Sequence, residues 1–571
     1  MDRLIKPLVT TALMIIFGQI SIAQKSNSLV ELNQIDKKLN ESIYVSTNSD
    51  SYLIGETVLY KVFCIDNITN STKTHSKIAY IQLVDSNKKS VFIHKVFLKD
   101  GTGNGDFFLP TTLETGSYKL IGYTNWMLNK NIESFFNLDL YIVNPYKETP
   151  NYPTIQKELL TDQATTDSNI SFDLKTKKYQ TRQQISFGIK QQSQDILNGK
   201  YMISVRKADG FLSQNKSEFK AKTEGNSEIR NGNFFMPELR GELISGKITS
   251  SSSDVKNKKI AFSIIDKNPE LKFTKTDDNG HFVFNLEKSN AGANIIIQVV
   301  EENKQDFTIE VDKPVAIDFS NLQFSTPQFS PEFKNNITER LVSSQIENAY
   351  YNIKKDSILN PKDSVPFYGS LSTEFVLDDY TRFKTMSETF TEILKGVEHS
   401  KTKTGYSIHV YDYDPNYESS LPVLVVADGF VIEDLNELFA YNPRKVEKIN
   451  VVRGIYYYGS KSFSGLIILT TKDGNFETTS KGNFIIKPSI LRPENKKLYY
   501  QPDYTADKND RIPDYRHQLL WNPEVNLKNS NFSFNTSDVS GKFEIVLEGF
   551  SESGKPVFIR DFFEVSENNL N

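Results

Sequence analysis

The sequence predicts a mainly β chain, tandem β-sandwiches joined to one small α/β domain, on three observations. The chain carries 39 Phe and 27 Tyr beside abundant Ile and Val, residues that suit pleated, half-buried surfaces. Short apolar runs alternate with Gly- and Asn-rich turn signals over most of its length, the pattern of antiparallel sandwiches. Only residues 338–475 break that rhythm with helical periodicity. The 571 residues suffice for about three to five domains.

The elements follow in order. Asp2, Arg3 and Lys6 precede an apolar run from Leu8 to Ile20, and Ser21-Ile22-Ala23 then places small residues before a cleavage point. This is the anatomy of a secretory signal peptide over 1–23. The run is shorter than the roughly 20 residues a membrane helix needs. Nothing later approaches such a span, so no direct membrane span is expected, and no cysteine is placed for lipid attachment. Residues 41–146 hold strands near Glu56–Ile65, Ile78–Val84, Val91–Leu98, Tyr118–Tyr123 and Leu138–Val143, punctuated by glycines. A polar stretch, Lys147 to Asp167, reads as a linker. Residues 168–208 form a second small β unit, short enough to be incomplete or to lean on a neighbour. Polar residues 209–233 read as loop. Residues 241–312 form a further sandwich, with Asp277-Asp278-Asn279-Gly280 as its hairpin turn.

In 338–475, Thr338–Ile353 and Arg382–Leu394 read as helices. Phe383, Met386, Phe390, Ile393 and Leu394 share one face of the second, and Asp378 and Asp379 stand upstream, where carboxylates favour a helix N-terminus. Strands follow at Val423–Val426, Val446–Val452 and Leu466–Thr471, with a short helix at Leu435–Phe439. A last β unit is expected over 525–567.

Several chemistries lose support. The 67 Lys+Arg do not exceed the 71 Asp+Glu, so the chain has no basic surplus for phosphates and nucleic acid is not an expected partner. Cys64 is the only cysteine, set in Val62-Phe63-Cys64-Ile65, and reads as a small core hydrophobe. The six histidines (His75, His94, His281, His399, His409 and His517) form no zinc-ligand spacing and are expected at the surface or in turns. Gly101-Thr102-Gly103-Asn104-Gly105 opens into a strand rather than a helix, which excludes a phosphate cradle. Asp277, Asp278 and Asn279 lack the rest of a calcium loop. No cofactor, metal site or catalytic residue is expected.

Three stretches carry family resemblances. Pro422 to Gly474, through Val425-Val426-Ala427-Asp428-Gly429, Val446 to Gly454, Tyr458-Gly459-Ser460 and Gly465 to Gly474, resembles the plug domain of TonB-dependent outer-membrane receptors of the SusC-like type. The aromatic run Tyr456-Tyr457-Tyr458 departs from that pattern. Tyr52-x-x-Gly55-Glu56-x-Val58, with Gly116-Ser117-Tyr118 and Thr124-Asn125-Trp126-Met127, resembles an MG2-like domain, a macroglobulin-like relative of immunoglobulin-like sandwiches. Gly241-x-x-x-x-Gly246-x-Ile248 with Thr276 to Phe282 resembles carboxypeptidase-regulatory-like sandwiches. The macroglobulin likeness implies no thioester trap, because no Gln follows Cys64 at the required spacing.

A receptor plug sits inside a barrel of about 22 strands, which needs on the order of 220 residues. Residues 475–571 are too few and show no such alternation, so a plug without its barrel is expected. The function this implies is a non-enzymatic binding or scaffold protein of the periplasm. Its expected partner is an outer-membrane β-barrel protein or complex. The alternative is a surface adhesion or ligand-binding protein that uses its sandwich loops. Arg453, Tyr456, Tyr457 and Tyr458 are the candidate partner-contact residues, since Arg and aromatics concentrate at interface hot spots. Period-2 alternation buries one or two of the tyrosines.

Overall fold

The computed structural model describes residues 39–72, 75–147, 169–208, 234–287, 292, 294–325, 333–359, 368–403, 405–414, 419–458, 461–504, 512–528 and 531–567. The signal peptide expected over 1–23, most of the 147–167 linker, the 209–233 loop, Gly459 and Ser460 lie outside these residues. The chain is mainly β and folds as two compact units. One takes its residues from Met1–Leu239, Asp318–Ile358 and Lys496–Asn571, the other from Arg240–Ile317 and Leu359–Asn495.

The first unit holds two sandwiches. In the first, a sheet of Glu41–Thr47, Thr57–Asp66 and Thr102–Phe108 faces a five-stranded sheet in the order Ser51–Leu53, Phe136–Val143, Gly116–Tyr123, Ile78–Asp85, Ser90–Phe97. Cys64 is buried there, with its Sγ 3.7 Å from Glu41 Oε2. The second sandwich corrects an expectation. Segments 168–208 and 525–567 are not separate units. Lys200–Lys207 lies between Gly541–Phe550 and Gln518–Val525 in one sheet, and Gln184–Gln191 lies between Asn531–Asn535 and Ile170–Leu174 in the other. One core, including Ile185, Ile203, Val205, Phe534, Phe543, Ile545 and Leu547, joins them. Each buried Phe, Ile or Leu side chain contributes about 1.5–3 kcal/mol, which neither segment realises without the other's apolar face.

The helix Phe333–Ala349 also departs from the reading that grouped it with the α/β domain, because it belongs to the first unit. Arg340 fixes it there by pairing with Glu56 at 2.6 Å and donating to the Ser51 carbonyl at 3.1 Å. The tail around Ile512–Arg516 joins the same unit because Arg182, itself paired with Asp538 at 2.6 Å, donates to the Ile512 carbonyl at 2.9 Å, and the Asp514 N–H donates to the Asp538 carboxylate at 2.9 Å.

The second unit combines a sandwich with a mixed sheet. The sandwich sets His281–Leu286, Glu242–Thr249 and Thr308–Val311 against Glu270–Lys275, Lys259–Ile264, Ile295–Val299 and the added edge Ile485–Ile486. The 277–280 turn is not a hairpin. It hands the chain from one sheet to the other, with the Asp277 carboxylate accepting from the Asn279 and His281 N–H groups.

The mixed sheet runs Thr373–Val376, Val446–Val452, Leu466–Thr471, Leu424–Ala427, Phe430–Val431, with one parallel pair between Leu424–Ala427 and Leu466–Thr471. Its strands read as unbroken apolar runs because both faces are covered. Met386–Ile393 and Leu435–Ala440 pack on one face through Met386, Phe390, Leu438 and Phe439. The sandwich residues Ala261 and Leu271 pack on the other, against Val426, Leu466 and Ile468. The helix 386–393 is capped by Thr385 and Glu388 in a reciprocal capping box. Asp378, expected at its N-terminus, pairs instead with Arg382 at its Oδ1 and with Lys472 at 3.2 Å.

Asp428 and Gly429 make the reversal after Leu424–Ala427, at φ 46° and 91°. A Cβ on Gly429 would lie 2.7 Å from Pro269 Cβ and 2.9 Å from the Ile264 carbonyl oxygen, so this turn needs glycine for space as well as conformation.

Candidate functional site

The strand Val446–Val452 ends at Arg453, and Gly454, at φ 85°, turns the chain away. Arg453 Nε donates to the Tyr411 carbonyl at 2.8 Å and Nη2 to the Asp412 carbonyl at 2.7 Å. These bonds lay the guanidinium over the Tyr413 ring, 4.4 Å from its centre, in cation–π geometry. Tyr411 donates its hydroxyl to Glu398, and the His409 ring meets it edge-on at 4.7 Å. Tyr413 is 66% exposed, so the stack presents an aromatic face held by its cation.

Tyr456–Tyr458 pairs with Lys461–Phe463 as a short hairpin, and its tyrosines alternate. Tyr456 is buried, and Tyr458 turns onto the sandwich, donating to the Leu271 carbonyl and standing edge-on to Phe273 at 5.6 Å. Burial raises both phenol pKa values above the ordinary tyrosine value. Tyr457 points outward and is 73% exposed. Of the four residues singled out in the sequence, Tyr457 is exposed and Arg453 is partly exposed, while Tyr456 and Tyr458 pack inside the unit. The sequence reading missed Tyr411 and Tyr413. The alternation Tyr411-Asp412-Tyr413-Asp414 was their one available signal.

Two histidines also depart from expectation. His94 is half-buried in the strand Ser90–Phe97, hydrogen-bonded to the Tyr60 hydroxyl at 2.9 Å and flanked by Phe92 and Phe107. Burial pushes its pKa down to about 4. His399 stacks on Phe439 at 4.9 Å and shares a 2.6 Å hydrogen bond with Ser387. Both are enclosed by aromatic rings that sequence spacing could not bring together.

Among the described residues, no helix is long and apolar enough to cross a membrane. No protein-family model matches the chain, and neither does any curated protein sequence. Among solved structures it is similar to a Salmonella alpha-2-macroglobulin reacted with methylamine, at 8% identity and a TM-score of 0.22 over 92% of this chain and 39% of that one. It is similar in the same way to an Escherichia coli alpha-2-macroglobulin activated by porcine elastase, at 9% identity and a TM-score of 0.22 over 92% and 44% of the two chains. The Escherichia coli adhesin FdeC aligns at 12% identity and a TM-score of 0.15 over 50% and 64%. The chain thus spans about two fifths of the macroglobulins' length, and TM-scores this low assign neither a shared architecture nor a function.

Proposed function

We propose that the chain is a non-catalytic scaffold of the cell envelope, exported by its N-terminal segment. It docks an outer-membrane barrel protein through the mixed-sheet domain. The observation that carries this reading is the exposed aromatic–cation surface of that domain, with Tyr413 stacked under Arg453 and Tyr457 standing outward from its hairpin. Exposed tyrosines beside an anchored arginine are the composition of interface hot spots. A mixed sheet with its Asp428-Gly429 reversal also supports the plug resemblance.

The test is affinity purification of the tagged chain from detergent-solubilised envelope. The expected result is a barrel protein at comparable stoichiometry, lost in Arg453→Ala. Recovery of the chain alone would overturn the reading. Protease shaving of intact cells adds the second arm. An uncut chain keeps it on the periplasmic side, whereas cleavage would favour a surface adhesion role.

A further inference from the structure

The strand Thr57–Asp66 is buried along nearly its whole length because both of its faces are covered. Tyr60 looks into the first sandwich, toward His94. On the opposite face Leu59 packs with Met202 and Trp521, while Phe63 and Ile65 pack with Phe550, all within the first unit. Lys61 stands between Leu59 and Phe63 on that second face and is 2% exposed. Among the described residues its ammonium has no hydrogen-bond or ion-pair partner, and the Phe63 ring centre lies 5.7 Å away. An uncompensated buried cation is costly, so packing alone does not account for a lysine here.

Lys61 borders a cleft of about 600 Å³ between the two sandwiches, whose walls also carry Lys99, Lys200 and Lys528. Those three side chains make no hydrogen bond or ion pair among the described residues. The carboxylates of the cleft are Asp100, Glu524 and Glu552. Glu524 is engaged by Lys496, and Glu552 accepts from Asn198 at 2.9 Å. Burial pushes the Lys61 pKa down to about 7, with Lys496 and Lys200 repelling its charged form and Glu524 opposing them. The cleft thus carries four lysines against three carboxylates, and Glu524, bonded to Lys496, is shared electrostatically with Lys61 and Lys99.

We propose that this cleft binds a ligand carrying an oxyanion, carboxylate or phosphate, and that Lys61 is the buried cation that grips it. The oxyanion accepts from Lys61 Nζ and supplies the counter-charge that the strand faces cannot. Lys99, Lys200 and Lys528 add attraction from the walls. This site stands in the first unit and does not depend on the aromatic surface of the second.

The test is calorimetric titration of the full chain with inorganic phosphate and, separately, with succinate. It is run at about pH 8 and low salt, in two buffers of different ionisation enthalpy. The expected result is saturable binding of at least one anion with uptake of roughly one proton, because the anion restores the Lys61 ammonium. Phosphate alone or succinate alone identifies the headgroup. Lys61→Met should weaken binding at least tenfold and abolish the proton uptake, with circular dichroism confirming its fold. Lys200→Gln should weaken binding a few-fold and keep the uptake. No saturable binding of either anion, binding without proton uptake in the unaltered chain, or equal affinity in a folded Lys61→Met would each overturn the proposal.

Discussion

Asp428 and Lys61 are equally hidden, each 2% exposed among apolar strands, and the chain treats them in opposite ways. The Asp428 carboxylate accepts from the Thr471 N–H at 2.8 Å, from the Thr471 hydroxyl, and from the Phe476 N–H at 2.9 Å. It ties the turn after one strand to the end of its parallel neighbour. Burial still raises its pKa above the ordinary carboxylate value, against the lowering effect of those bonds. Lys61 has no comparable set of partners. A buried charge that is fully satisfied holds the fold together, whereas one that is unsatisfied calls for a partner from outside the chain.

The largest effect should come from breaking the satisfied case. Asp428→Ala removes an acceptor of two buried N–H groups and of the Thr471 hydroxyl, and is expected to destabilise the second unit by about 3–5 kcal/mol, read by urea denaturation. A cost below about 1 kcal/mol would show that the carboxylate is incidental to the fold.

Lys61→Met should act in the opposite direction. A thioether side chain fills the gap between Leu59 and Phe63 without the desolvation penalty, so the variant is expected to be about 1–3 kcal/mol more stable at neutral pH. The pH dependence has a definite sign. The Lys61 pKa falls from the ordinary 10.5 to about 7 on folding. Between those values the unfolded chain binds the extra proton, so the unaltered protein gains stability as pH rises through that window. The variant's advantage should therefore be full below pH about 7 and fade toward pH 10.5. A difference in melting temperature that does not change with pH would mean that Lys61 is not the titrating group.

Asp428→Asn sharpens the comparison at smaller scale. Asparagine tolerates the left-handed backbone at φ 46° and keeps one acceptor oxygen. Its cost should stay near 1 kcal/mol in the same denaturation series. A cost equal to that of Asp428→Ala would show that one acceptor oxygen does not suffice and that the turn needs both carboxylate oxygens.

These two residues also show what a single sequence makes legible. The Asp428-Gly429 reversal could be read directly, because two turn-forming residues end an apolar strand that only a tight turn can follow. Lys61 left a signal too, as the one charge inside Val58 to Ile65, but its meaning depends on the second sandwich covering the outer face of that strand. That covering arises from Met202, Trp521 and Phe550, which come from distant segments whose pairing leaves no local trace. The same non-local pairing explains why 168–208 and 525–567 looked like two units. Strand and helix positions were set by local pattern, while the sheets they joined depended on which apolar faces lacked a cover.

The smallest stability effect is expected at Tyr457, and it bears on the aromatic surface. In Tyr456–Tyr458 the pleat sends alternate side chains to opposite sides, so neighbours of one residue type sit in opposite environments. Tyr456 is buried, and its ring stacks with that of Tyr458 at 6.3 Å, whereas Tyr457 is exposed. Tyr457→Ser therefore removes little packing and should change stability by less than about 0.5 kcal/mol. If the exposed aromatic face is the docking surface, the same substitution should lower recovery of a barrel partner from solubilised envelope. Unchanged recovery with unchanged stability would exclude Tyr457 from the contact and confine the surface to Arg453 with Tyr411 and Tyr413.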